Sequence, residues 1–588
     1  MRRFNLPPWL SLLLPALIIL AAVVLVPLLF SFYSSFTAYR LTRPESIFSW
    51  IGLRNYVRLF GDAGFWWAFG RTVFLLTVAL NLEMLLGLGL ALLVNKVTWG
   101  QRGLRTIMMF PMMFSPILVG FQFKFIFNDN IGLMNNALQS LGLTEAAIPW
   151  LVDGKLAMFA IIFAEVWMST SVFAILILAG LFAVPRDPLE AAQVDGCTSW
   201  QTFRHITLPF IMPFINIALA IRSLDVARAY DIVKIMTNGG PAHRTELIWT
   251  MLARTGYVDA KMGLANAMGY ISIVLAIFFT IFFFRKLSAS RQIVGMGADQ
   301  MELNAKHRLN RRALAILHFV TLFVAMSIIC LPGLWVVLNS FRPTVEIMAK
   351  PPVWIPNELN LDHYRAMFGA LGEGGIPVVR YFTNSLIISI TSTVIAIFVG
   401  MAGGYAFARY QFRGKAAIFV GMMLTRAVPG IALSLPLFIV FARLGIIDTH
   451  FGLILAYVAM NVPFTIWLID GFFRQVPREL AEAAEIDGCT RWQAFWKVEF
   501  PVAKAGVASA GIFAFLTSWN EYALASQLTR SVNSKTMPVG LLDFTSEFTL
   551  NWGGMSALAV VMIIPALILT FIIQKHLIAG LTFGGVKG

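Results

Sequence analysis

Long apolar runs alternate with short polar stretches along almost the whole chain. A helix crossing the hydrocarbon of a bilayer needs roughly 20 mostly apolar residues, because backbone polar groups cannot stay unpaired in lipid. By that measure the first half predicts spans at about 10–33, 72–95, 105–127, 156–183, 207–226 and 266–284. The second half predicts six more, at about 314–340, 385–408, 416–442, 451–473, 503–526 and 555–575. The expected fold is therefore an all-α polytopic membrane protein with about 12 transmembrane helices. The first run, from Trp9 to Phe30, is longer than a signal-peptide core and has no small-x-small cleavage pattern after it, which makes it a retained helix.

The polar stretches are not equivalent. EAAQVDGCTSWQ at 190–201 returns as EAAEIDGCTRWQ at 482–493, and the surrounding 184–209 and 476–501 align without a gap. Each copy lies between the fourth and fifth spans of its half, so the chain reads as a parallel duplication of a six-helix unit. Residues 1–285 form the first transmembrane domain and 313–588 the second. The hydrophilic stretch 286–312 reads as a linker between them. An even number of spans per half puts both repeated loops on one side of the membrane.

Composition narrows the class. With 58% hydrophobic and 13% charged residues, the chain has too few charges to cover a soluble surface, where about 25% is usual. The formal charge of +15 is dispersed over short loops rather than gathered in a patch, so it reports topology and gives no nucleic-acid signal. With the N-terminus inside, the basic loops near 96–105, 186–204, 285–312, 409–415 and 474–504 are cytoplasmic. Cys197, Cys330 and Cys489 have neither CxxC spacing nor His partners and read as small apolar residues.

Each repeated loop predicts two short helices and a hinge. Pro185 and Pro188 suit a first helical turn, Gly196 a left-handed stop, and Thr198 with Gln201 a capping box, repeated as Thr490 with Gln493. Ala191 and Ala192, with Ala483 and Ala484 in the second copy, present a low-relief surface. Glu190 and Asp195, like Glu482 and Asp487, flank it with negative charge. One reading is a surface that docks into a partner's groove; the other is an amphipathic helix lying in the lipid interface, which ordinarily favours Lys, Arg and large apolar residues.

Polar groups inside spans are expensive and mark pathways or internal pairs. AEVWMSTS puts Glu165, Trp167, Ser169 and Thr170 in the fourth span, and Arg222 and Asp225 lie one turn apart in the fifth. Asn461 and the triplet Trp519, Asn520, Glu521 are the second-half counterparts. Aromatic faces with amides and carboxylates suit the apolar faces and hydroxyls of sugars, whereas Arg222 with Asp225 also suits a simple ion pair. No His/Asp/Glu cluster, metal spacing or nucleophile motif emerges, and no enzyme is expected.

The pattern EAAxxDG, with a later phenylalanine and proline, resembles the cytoplasmic loop of the membrane subunits of bacterial ABC importers. RSLDVARAYDIVKIMTNGGP at 222–241 is similar to the first membrane subunit of the carbohydrate-uptake branch, the maltose and glycerol-phosphate importers. LTSWNEYAL at 516–524 and the ending GLTFGGVKG are similar to the second. The resemblance implies two fused permease subunits of the type I importer fold. It also implies ATP-driven alternating access, an extracytoplasmic solute-binding protein, a carbohydrate-class solute, and two copies of a cytoplasmic ABC ATPase that receive the loops at Glu190 to Gly196 and Glu482 to Gly488. The protein would lie among the lipids of the bacterial inner membrane with both termini cytoplasmic, and its tail from about Gly580 would reach the ATPases. The chain has no Gly-x4-Gly-Lys-Ser/Thr, so ATP and Mg belong on those partners and no cofactor is expected here. Departures from the family pattern are the fusion itself, Cys197 and Cys489 where alanine is commoner, and Arg71-Thr72 where Asn-Thr is usual, although Asn384-Ser385 keeps the expected form. Two parallel six-helix halves also describe secondary, ion-coupled transporters, which have no reason to carry two such loops.

Overall fold

The computed structural model describes residues 7–97, 100–289, 311–350, 353, 355–369, 376–426, 428–545 and 550–583. Most of the 286–312 linker and the last residues of the expected ATPase-reaching tail lie outside them. In chain order the principal helices are α1 (Pro8–Ser35), α2 (Ala63–Asn95), the pair α3 (Gly103–Met113) and α4 (Pro116–Ile126), and α5 (Gly154–Ala183). There follow α6 (Arg186–Val194), α7 (Ser199–Val226), α8 (Met262–Ala289) and α9 (Arg311–Ser340). The second half continues with α10 (Val378–Arg409), the pair α11 (Lys415–Thr425) and α12 (Gly430–Arg443), and α13 (His450–Gln475). It closes with α14 (Arg478–Ile486), α15 (Arg491–Trp519), α16 (Ala523–Leu528) and α17 (Trp552–Phe583).

Nine helices among the described residues are long and apolar enough to cross a membrane, or eleven spans with each bent pair counted once. With α8 on the sixth predicted segment, every expected span falls on a helix or a bent pair. What hydropathy does not show is shape: the segments at 105–127 and 416–442, each read as one span, are broken by 90° and 89°. Phe114 and Ser115 are extended (ψ 135° and 148°) before Pro116, because a residue preceding proline is pushed out of the helical region. In the second pair Pro429 is itself extended, at ψ 143°, before Gly430 opens α12.

The chain divides into two compact units, and each draws on both halves. One comprises Trp66–Thr250 with Val274–Leu361. Its centre is α5, with 78% of its spanning window buried. Helix α7 packs along α5, and α9, the first helix of the second half, lies against α3 and α4. There Gly333 admits the ring of Phe110, which a Cβ would meet at 2.3 Å.

The other unit comprises Met1–Phe65, Met251–Ile273 and Asp362–Gly580. Its centre is α13, 67% buried over its window, packed along α10. The approach is close because Gly400, Gly403 and Gly404 face α13: a Cβ on Gly400 would stand 2.3 Å from the Thr465 side chain. Helix α1, from the first half, packs on α10, and Trp9 stacks on Phe412 with centroids 4.2 Å apart. At the α14–α15 end of this unit, Phe473, Val476, Phe495 and Tyr405 form a buried cluster. Glu499 there accepts from the Tyr405 hydroxyl at 2.8 Å and pairs with Arg409 at 2.6 Å.

Candidate functional site

The two repeated loops fold alike. Helix α6 ends with Cys197 N–H donating to Ala192 O at 2.9 Å and Asp195 N–H to Ala191 O; α14 ends with Cys489 N–H on Ala484 O and Asp487 N–H on Ala483 O. Gly196 at φ 76° and Gly488 at φ 89° take the left-handed turn that this ending requires. Thr198 and Gln201, and Thr490 and Gln493, form complete capping boxes that start the next helix. A five-residue π-helical segment then joins each loop to its span, at Phe203–Thr207 and Phe495–Glu499.

Only one alanine of each pair is on the surface. Ala191 and Ala483 are exposed with Glu190, Asp195, Glu482 and Asp487, whereas Ala192 and Ala484 are buried, so the low-relief face is half as wide as the sequence suggested. The protruding groups are others. Val194 and Ile486 are 87% and 86% exposed, and Trp200 and Trp492 are 66% and 67% exposed. Sequence reasoning passed over these four, although their recurrence in both copies was visible. Both copies thus expose one aliphatic and one indole side chain at matching positions.

In the unit centred on α5, Arg222 on α7 is the centre of a buried ion cluster. Its Nε and Nη2 donate to Glu83 on α2 at 3.1 and 3.2 Å, and Nη2 also donates to Glu165 on α5 at 2.8 Å. Asp225, whose side chain is 38% exposed, stands 3.5 Å from Arg222 and also pairs with Arg228. Glu83 was missed in the sequence, although a lone carboxylate inside the apolar run of α2 is the signal that should have found it. Trp167 is buried, and its indole donates to Ile328 O on α9 at 3.2 Å.

The unit centred on α13 has a neutral counterpart. Asn461 on α13 donates to Ser518 Oγ at 2.9 Å, and Ser518 and Ser392 share a hydrogen bond at 3.1 Å. Trp519 is fully buried and donates to Met562 O at 2.9 Å. Glu521 accepts from the Leu524 and Ala525 amides and from the Tyr457 hydroxyl, which caps α16 and ties it to α13. Asn520, at the end of α15, is half-buried.

The departure at Arg71 has a geometric counterpart. Asn384 donates to Val532 O and Lys535 O, both at 2.9 Å, while its Oδ1 meets His450 Nε2, and Ser385 Oγ accepts from Met537 N–H. In the first half, Thr72 Oγ1 accepts from Ile248 N–H and Arg71 Nη1 donates to Glu246 O at 3.3 Å. The pairs at 71–72 and 384–385 thus each clasp the stretch that follows the fifth span of their half. Asp448 adds a second clasp: it accepts from Arg530 N–H at 2.7 Å, Ser531 N–H at 2.9 Å and the Ser534 hydroxyl. Partial burial pushes its carboxyl up, but these donors outweigh it and bring the group down to about 2.

Among the described residues no three His, Cys, Asp or Glu side chains are grouped to hold a metal ion.

A sequence profile for the "binding-protein-dependent transport system inner membrane component" matches twice, over residues 83–293 and 392–582. The diacetylchitobiose uptake permease of Streptomyces coelicolor is 34% identical over 269 residues, 46% of this chain and 95% of that protein. The trehalose transport permease of Mycobacterium tuberculosis is 38% identical over 261 residues, 44% of this chain and 92% of its own length. The trehalose/maltose transport permease of Thermococcus litoralis is 34% identical over 273 residues, 46% of this chain and 91% of its own. A solved chain of a bacterial ABC transporter that imports the acidic polysaccharide alginate aligns at 26% identity and a TM-score of 0.42, over 48% of this chain and 94% of the other. Each of these relatives therefore corresponds to about half of this chain.

Proposed function

The chain belongs to the family of binding-protein-dependent transport system inner membrane components, and from that premise we propose that it is the entire membrane permease of a carbohydrate importer. Residues 1–285 and 313–588 are the two permease domains, joined by the 286–312 linker, with both termini in the cytoplasm. An extracytoplasmic solute-binding protein delivers a sugar, oligosaccharide or polyol derivative. A pair of separate cytoplasmic ATPases, holding ATP and Mg, docks on the two loops and drives alternating access; this chain hydrolyses nothing. The carbohydrate class is supported by the three relatives, whose names specify diacetylchitobiose, trehalose and maltose.

The observation that carries the docking assignment is the repetition of one exposed geometry: a short helix, a left-handed glycine, a capping box, and the same bare Val/Ile and Trp pair in both loops. In this reading Glu190, Ala191, Asp195 and Gly196, with Glu482, Ala483, Asp487 and Gly488, face the ATPases, while Ala192 and Ala484 anchor the helices from beneath. Of the candidate solute-path residues, Asp225 in one unit and Asn520 and Glu521 in the other retain exposure and are the proposed contacts. Glu165, Trp167, Arg222, Asn461 and Trp519 are buried and hold the surrounding helices through the bonds described above.

The test is ATPase turnover in lipid nanodiscs with the cognate ATPase and binding protein, comparing wild type with Gly196→Val plus Gly488→Val. A β-branched residue cannot hold the left-handed turn without strain, so stimulation by the binding protein should disappear. Wild-type stimulation in the variant would return the loops to the alternative of interfacial helices.

A further inference from the structure

A second feature of the unit centred on α5 lies apart from the coupling loops, although Trp167, named above among the candidate solute-path residues, also lines it. A half-open groove of about 1140 Å³ runs between α2, α5 and α9. It exceeds the roughly 300–1,000 Å³ of small-molecule sites. Its lining on α2 extends from Trp67 to Leu93, a length of about 39 Å at 1.5 Å per residue, more than a single sugar needs. The walls are almost wholly apolar, as with Phe74, Leu86 and Phe159, which are 53%, 53% and 49% exposed. A hydroxyl-rich solute would find hardly any partners along it.

One end differs. Arg71 on α2, Lys155 in the first turn of α5, and Arg244 all line the groove there, at the end of α5 remote from α6. The Arg244 side chain is laid against Gly154, where a Cβ would meet it at 2.6 Å. Two carboxylates stand near these cations and offset them in part: Asp153 attracts Arg244 and Lys155 while its Oδ1 accepts from the Lys155 and Leu156 amides, and Glu246 attracts Arg71 and pairs with His243 at 3.4 Å. Neither carboxylate lines the groove, so its lining at this end carries three positive side chains and no negative one. Two lining glycines of α2, Gly70 and Gly89, have nothing within 4 Å of where a Cβ would stand. The space beside them is real, and the helix leaves it unfilled.

We propose that this groove binds an anionic phospholipid of the surrounding bilayer, with its phosphate headgroup at Arg71, Lys155 and Arg244 and its acyl chains along the apolar channel between α2, α5 and α9. The charge selects the headgroup and the apolar length selects the chains. Such a site also gives Arg71 a second role, beyond its bond to Glu246 O.

Native mass spectrometry of the full chain, released from detergent and titrated with dioleoyl-phosphatidylglycerol or dioleoyl-phosphatidylcholine, tests this. Each Lys or Arg near an anionic lipid surface changes partition by roughly fivefold. The expected result is one retained phosphatidylglycerol, bound at least about tenfold more tightly than phosphatidylcholine. Lys155→Gln with Arg244→Gln should reduce that preference below about threefold, and Gly89→Phe should weaken phosphatidylglycerol by about tenfold or more while raising helix propensity. Melting temperatures in the same detergent report folding; if Gly89→Phe melts early, Gly70→Leu is read in its place. Equal affinity for the two lipids in the wild type overturns the headgroup assignment. Unchanged phosphatidylglycerol binding in the glycine variant overturns the site, and displacement of the lipid by free trehalose would transfer the groove to the solute.

Discussion

Replacing Arg222 by Met isolates the energetics of the buried cluster. The guanidinium gives two bonds to Glu83 and one to Glu165, and the side-chain exposures are 6%, 0% and 8%. Methionine fills a similar volume but leaves both carboxylates inside the helix bundle without a counter-charge. Removing one partner of a buried pair costs about 3–5 kcal/mol, much of it the penalty on the charge left behind. Asp225 is spared, because it retains Arg228. If this accounting is right, the penalty is a property of the orphaned charge rather than of a lost contact, so Arg222→Met combined with Glu83→Gln and Glu165→Gln should recover most of it. The assay is unfolding in mixed micelles with rising dodecyl sulfate, followed by circular dichroism. A single-variant cost below about 1 kcal/mol, or a triple variant no more stable than the single, would refute the reasoning.

Two further outcomes follow from the clasps. Asp448 has its carboxyl lowered to about 2 from an ordinary 3.8, so its contribution is complete above the ordinary value and is lost as pH falls through the lowered one. Hydrogen-exchange protection of the Arg530 and Ser531 amides should hold down to about pH 4 and fall towards pH 2; protection already lost by pH 5, or unaffected by Asp448→Ala, contradicts this. Asn384→Ala removes two well-made donors and should cost about 2 kcal/mol, whereas Arg71→Ala removes one long bond and should cost about 1 kcal/mol or less. Melting curves that reverse this order would show that the two halves are not clasped in the same way.

Much of the candidate site is legible because it is local. The ending of α6 at Gly196 and the Thr198–Gln201 box are decided within a few residues, and the second copy confirms the pattern in the sequence itself. The bends within 105–127 and 416–442 escaped a hydropathy reading because window averages ignore backbone geometry. Pro116 and Pro429 carried the signal, since proline constrains its neighbour regardless of apolarity. Which of Ala191 and Ala192 faces outward was not legible, because that depends on the rotation of α6 over its own unit. The partners of α1 and α9 were hidden for a related reason: both helices are apolar on every side, so periodicity specifies no face. Glu83 and Arg222 stand far apart in sequence, and nothing short of the packed helices brings them together.

That exchange of first helices has a consequence for biogenesis. Helix α1 is complete when residue 35 has been made, yet the helix it packs against, α10, begins at Val378. At a synthesis rate of about 5–20 residues per second, roughly 17–69 s separate the two events. Until then α1 rests on its own backbone bonds and on α8 of the same half, whose Asn266 donates to Ser34 Oγ and whose Tyr270 donates to Leu28 O. Severing the gene between the halves would part each first helix from its partners in the other half, α10 for α1 and the α3–α4 pair for α9. Neither product could complete a unit unless both were inserted together, and the covalent link ensures that one ribosome delivers them in a fixed one-to-one ratio.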